Sequence, residues 1–193
     1  LDDNQRLDYG DTVGVSVSVK NIGLQPTSDV TVKLSTNSKY VTITKDVASI
    51  SSIQSEEVIN LHDAFSVVVR DDVPNETKVE FVVTCTNGKD TWETMFYEKA
   101  YAPILAVNSV RMPSGRIVQP GETETLEMEF KNIGGATAYD VLTEVFSSSS
   151  DIEFKNTSIL TEEVEAGETF TVKTEFTVSS SVLVGSVFEI MCS

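Results

Sequence analysis

The chain has 193 residues, with 30 acidic against 14 basic side chains and a formal charge of −16. Hydrophobic residues make up 40%, enough for a packed core in one large domain or in two domains of about 100 residues each. The negative field repels a phosphate backbone, which argues against nucleic acid as a partner. No apolar run reaches the length of about 18 residues that membrane insertion needs.

The opening stretch, LDDNQRLDYGD, holds an acidic pair, Asp2–Asp3, and has neither a basic n-region nor an apolar h-region. Beyond it, apolar residues recur at every second position rather than at helical spacing. TVGVSVSVK puts four valines on one face and Gly, Ser and Lys on the other. KNIG then breaks the strand with Asn and Gly, as a turn requires. DVTVKL follows, with Val30, Val32 and Leu34 inward. YVTI, VINLHDAFSVVV, KVEFVVTC and TWETMFYE continue the series. Short alternating strands at this density predict antiparallel sheets packed as a sandwich. A closed barrel is the competing all-β arrangement.

KNIG occurs twice, at Lys20–Gly23 and at Lys131–Gly134, 111 residues apart. At that offset Gly10 falls on Gly121, Thr12 on Thr123, Asp29-Val30 on Asp140-Val141, and Glu57 on Glu168. Val15, Val17 and Val19 fall on Leu126, Met128 and Phe130, while Phe65 falls on Phe176 and Val67 on Val178. A period-two pattern kept in step over this length predicts two copies of one domain. The copies are placed at 1–101 and 102–193, joined through Ala100–Pro103, where proline suits a gap between ladders.

The copies differ at their ends. ILAVNSVRM precedes Gly121 and has no counterpart before Gly10, whereas DTWETMFYEKA after Cys85 has none after Cys192. The first copy is therefore expected to lack its first strand and the second its last, as in a segment of a longer polypeptide. Open sheet edges of this kind invite pairing with another chain.

VSVKNIGLQPTSDVTVKL and MEFKNIGGATAYDVLTEV resemble the immunoglobulin-like, cell-adhesion-related modules of secreted bacterial proteins. DDVPN, followed by the TWE strand and the AP linker, is similar to segments that follow the catalytic domain of gingipain-like cysteine peptidases. The resemblance covers most of both copies, although the second lacks the TWE strand. It implies two tandem immunoglobulin-like sandwiches at an extracellular or cell-surface address. None of the peptidases' catalytic residues has a counterpart in these copies.

The chemistry-bearing residues are few. His62, the single histidine, is expected to face solvent. Cys85 and Cys192 end strands of apolar parity and are expected to be buried, inert, and equivalent in the two copies. Zinc needs three or four such ligands close together. Calcium has weak candidates in acidic pairs, foremost Asp71 and Asp72, with Glu56-Glu57 and Glu162-Glu163 besides; solvated loop charge is the alternative meaning. Trp92 and Phe96 share one face of TWETMFYE, and Trp92 is expected to be the buried anchor. Tyr9, Tyr40, Tyr101 and Tyr139 lie near turns as candidates for a sugar-stacking platform. NET at Asn75 and NTS at Asn156 match the glycosylation pattern but carry no weight in a bacterial protein.

The expectation is a non-enzymatic, cofactor-free tandem sandwich, an accessory or spacer module attached to a peptidase. Its partners are the other domains of the same polypeptide, with protein or glycan at the cell surface besides. An adhesin or carbohydrate-binding module is the alternative.

Overall fold

The computed structural model describes residues 6–193. The fold is all-β, with fifteen strands and no helix among the described residues. The chain divides into two compact units, Leu1–Ala102 and Pro103–Ser193.

The first unit contains β1 (Leu7–Asp8), β2 (Thr12–Lys20), β3 (Thr27–Thr36), β4 (Val41–Lys45), β5 (Val47–Ile53), β6 (Val58–Val69), β7 (Thr77–Thr86) and β8 (Thr91–Tyr101). Two sheets form, ordered β1-β8-β7-β3-β5 and β2-β6-β4. All pairings are antiparallel except the short β1–β8 ladder, Leu7–Asp8 against Ala100–Tyr101. Alternate residues of both sheets turn inward to one core: Val32 and Leu34 from β3, Phe65 and Val67 from β6, and Val79 and Phe81 from β7. Phe81 stacks on Phe96 of β8, ring centroids 5.2 Å apart.

The second unit contains β9 (Leu105–Arg111), β10 (Thr123–Asn132), β11 (Ala138–Phe146), β12 (Ile152–Phe154), β13 (Ser158–Val164), β14 (Thr169–Val178) and β15 (Met191–Cys192). Its sheets run β12-β14-β10-β9 and β13-β11-β15. Leu126, Met128 and Phe130 of β10 meet Val172 and Phe176 of β14 and Val145 of β11 in its core.

The two KNIG turns are built alike. The Asn21 side-chain amide donates to the Gln25 carbonyl (2.9 Å) and the Ile53 carbonyl (3.2 Å), while its Oδ1 accepts from the Gly23 amide (2.9 Å). Asn132 donates to Ala136 (2.8 Å) and Val164 (3.1 Å) and accepts from Gly134 (3.0 Å). Each asparagine thus ties its turn to the end of a strand three elements on, β5 for Asn21 and β13 for Asn132. The Asp-Val pair has a shared cause as well. Asp29 and Asp140 both take left-handed backbone, φ 54° and 51°, inside a strand, a conformation that Asp tolerates better than most residues.

The constant offset fails past Leu61. Val17 pairs with Leu61 as Met128 pairs with Val172, but Val13 pairs with Val67 where Val13's match, Glu124, pairs with Phe176. A bulge in β6 sets His62, Asp63 and Ala64 opposite Ser16 alone, adding two residues that β14 lacks. Val67, not Phe65, therefore matches Phe176. The shift persists to the end of the unit: Leu34 pairs with Val83, and its match Val145 pairs with Cys192. Cys192 thus stands where Val83 stands, and the two cysteines are not equivalent. Two extra residues leave a period-two pattern in phase, so the alternation could not show them.

Candidate functional site

The first unit has an open flank. The strand β2 pairs with β6 on one side and with no described strand on the other. Among the described residues, only Ala100 and Tyr101 of β8 are paired on the outer side, by β1. Between these two edges lies a groove of about 1060 Å³. Its apolar floor is Leu7, Val13, Val15, Phe81 and Phe96. Asp11 and Asp63 lie along the β2 side, and Arg6, Lys78 and Lys99 along the β8 side.

The side chains of the β8 wall are held in place. The Lys78 ammonium sits 3.5 Å from the Tyr97 ring centroid, and the Arg6 guanidinium 3.9 Å from that of Tyr101, positions in which the ring face attracts a cation. Lys99 pairs with Glu76 at 3.2 Å. A hydrogen bond and negative charge from Glu80 push the Tyr97 phenol above its usual range.

The β2 wall is mainly backbone. The Val69 amide donates to the Asp11 carbonyl (2.8 Å) and the Asn21 amide to Glu57 (3.0 Å). By antiparallel alternation the odd-numbered groups of β2 face β6, and those of Thr12, Gly14, Ser16, Ser18 and Lys20 face the open side. At the bulge, Asp63 has φ 44° and its amide donates to Ser16 Oγ (2.9 Å). Its carboxylate lies 2.8 Å from where a Cβ on Gly14 would stand, so glycine there leaves room for the Asp63 side chain.

Sequence-predicted sites fall as follows. Asp72 is gripped by Arg70, with Nε to Oδ1 at 2.7 Å and Nη2 to Oδ2 at 3.0 Å, which holds its carboxyl below the usual range. Asp71 has an oxygen 2.8 Å from where a Cβ on Gly10 would stand. Among the described residues no group of three His, Cys, Asp or Glu side chains is placed to hold a metal; Asp2 and Asp3 lie outside the described residues. His62 is exposed at the bulge.

Two expectations are corrected. Cys85 and Cys192 are half-buried rather than buried, and the Cys85 thiol is pushed up by the burial it has. Trp92 is 50% exposed. It pairs with Cys85 next to the β7–β8 hairpin, beyond Val83, the last fully buried residue of β7. Phe96, four residues inward, takes the anchoring place against Phe81. Of the candidate tyrosines, Tyr101 lines the groove, Tyr9 and Tyr40 pack on the core, and Tyr139 stands exposed in the other unit. The groove itself escaped sequence reasoning. Its one signal was the β2 segment, nine residues of strong alternation without proline or a charge before Lys20.

No family model matches the chain. No curated protein matches it in sequence. Three solved structures to which it is similar are all-β in the region matched. A secreted serine protease from Vibrio cholerae is 12% identical over 96% of this chain and 48% of its own, with TM-score 0.31. A protein of unknown function from Porphyromonas gingivalis is 16% identical over 92% of this chain and 81% of its own, with TM-score 0.31. The YadV chaperone is 11% identical over 97% and 88%, with TM-score 0.31. The chain thus spans about half the length of the secreted protease. Among the described residues no helix is long and apolar enough to cross a membrane.

Proposed function

We propose that the chain is a non-catalytic tandem module of a secreted or surface bacterial protein. Two immunoglobulin-like sandwiches space or dock a neighbouring domain, and a gingipain-like cysteine peptidase is the neighbour that the sequence resembles. The observation that carries this reading is the repeated turn at Asn21 and Asn132. Each spends its polar side chain on bracing one strand against another, which is a structural use of polarity. Two sandwiches, each braced in the same way, suit a repeated spacer unit. An adhesin or glycan-binding module is the second reading, favoured by the Tyr97 and Tyr101 rings on the groove wall.

The test removes residues 1–193 from the polypeptide that carries them. Peptidase turnover is expected to stay constant while the temperature of inactivation falls. A polypeptide with no peptidase core overturns the attachment, and hydrolysis of casein by the isolated chain overturns the non-catalytic assignment.

A further inference from the structure

The second unit shows what belongs on the open edge of the first. There β9 runs antiparallel along β10, pairing Arg111 with Glu127, Ser109 with Glu129, and Ala106 with Lys131. At the KNIG turn the Ile104 amide donates to Asn132 Oδ1 (3.1 Å), and the Ile133 amide donates to the Ile104 carbonyl (2.7 Å). Glu127, Glu129 and Lys131 match Ser16, Ser18 and Lys20, the residues of β2 whose backbone groups face the groove side. Among the described residues no strand reaches them, nor Asn21 Oδ1 or the Ile22 amide.

Side-chain burial records the same gap. Leu126 and Met128 of β10 are 5% and 2% exposed, whereas Val13, Val15, Val17 and Val19 of β2 are all half-buried. The edge of β2 also lacks the usual guards: no proline, no charge before its last residue, and a bulge carried by β6 instead.

We propose that β2 is a docking edge for an extended peptide strand. The strand runs antiparallel to β2, alternates apolar side chains toward the groove floor, and carries a basic residue opposite Ser16. The basic residue follows from charge complementarity. Arg111 of β9 pairs with the Glu127 carboxylate; in the first unit Ser16 stands in that place and the Asp63 carboxylate lies 3.5 Å from its hydroxyl. An arginine opposite Ser16 meets Asp63 as Arg111 meets Glu127. Backbone pairing supplies affinity, and the alternate side chains with the terminal cation supply selectivity. This inference does not depend on what domain the chain spaces, so it can fail while the proposed function stands.

The probe is a capped peptide with the sequence of residues 102–112, APILAVNSVRM, added to the whole chain. Amide hydrogen exchange followed by NMR is the readout. The peptide is expected to slow exchange about tenfold or more at Gly14, Ser16, Ser18 and Lys20, while the intervening valines, already bonded to β6, do not change. Asp63→Asn and an Arg111→Ala peptide are each expected to weaken binding several-fold. Ser18→Pro removes an outward donor without touching the β6 ladder and is expected to weaken it about tenfold. Unchanged exchange at millimolar peptide overturns the proposal. Protection that rises with protein concentration in the absence of peptide overturns it too, by making a second copy the occupant. Equal binding of a scrambled peptide or of the Arg111→Ala peptide removes the stated chemistry.

Discussion

The strands β2 and β10 occupy the same place in two copies of one pattern, yet only β10 is properly buried. Both carry alternating apolar residues, both run into a Lys-Asn pair at their ends, and both lead into the same braced turn. What differs is the neighbour. With β9 on its outer side, β10 buries Leu126, Met128 and Phe130 and carries a charge ladder across three strands, Arg111 to Glu127 to Lys173. With no described strand on its outer side, β2 keeps its four valines half-buried and lines a groove. A strand's alternation states which face is apolar. How far that face leaves water depends on what lies beside and above it.

That contrast can be broken by mutation. Met128→Ala is expected to destabilise the second unit by about 3 kcal/mol, as for a buried side chain whose removal leaves a cavity. Its match Val17→Ala is expected to cost the first unit about 1 kcal/mol, since only part of that side chain leaves water on folding. Urea unfolding of the two variants measures the difference, and equal losses would mean that β2 is as well covered as β10.

The two asparagines sharpen it at smaller scale. Asn132 is fully buried and makes four side-chain hydrogen bonds, one of them with the amide of Ile104, the residue before β9. Asn21 makes three and is half-buried. Asn132→Ala is expected to cost about 2–3 kcal/mol and Asn21→Ala about 1 kcal/mol, because buried groups left without partners carry the larger penalty. Thermal melting of both variants checks the order.

Acid gives the mildest separation. Hydrogen bonds from Arg111 first and Lys173 second hold the Glu127 carboxyl below its usual range. A depressed carboxylate contributes stability above the ordinary carboxylate range and loses it as pH falls through the folded-state value. Glu127→Gln is therefore expected to flatten the acid limb of the second unit's stability curve, melting below the parent protein at neutral pH and converging with it at low pH. A pH series of melts on both proteins reads this directly.

Much of the fold was legible in the residues. Period-two runs identified the strands, and the KNIG and Asp-Val pairs marked turns and backbone that both copies build in the same way. The groove was not legible, because it is made by Val13 and Phe96, distant in sequence and brought close by two different sheets. Trp92 was misplaced for a related reason. Its parity is right for the core, but the core ends at Val83, and parity carries no information about where along a strand the cover stops.

By itself, then, the sequence determined the all-β class, the faces of the strands and the repeated turns, since each follows from steric and hydrogen-bonding preferences acting within a few residues. Tertiary structure alone decided the rest: that β6 bulges by two residues, that Cys192 takes the place of Val83, and that β2 stands open while β10 is covered. A shift of two leaves every side chain on its own face, and strand neighbours are chosen by packing across the chain, so neither leaves a trace in local pattern.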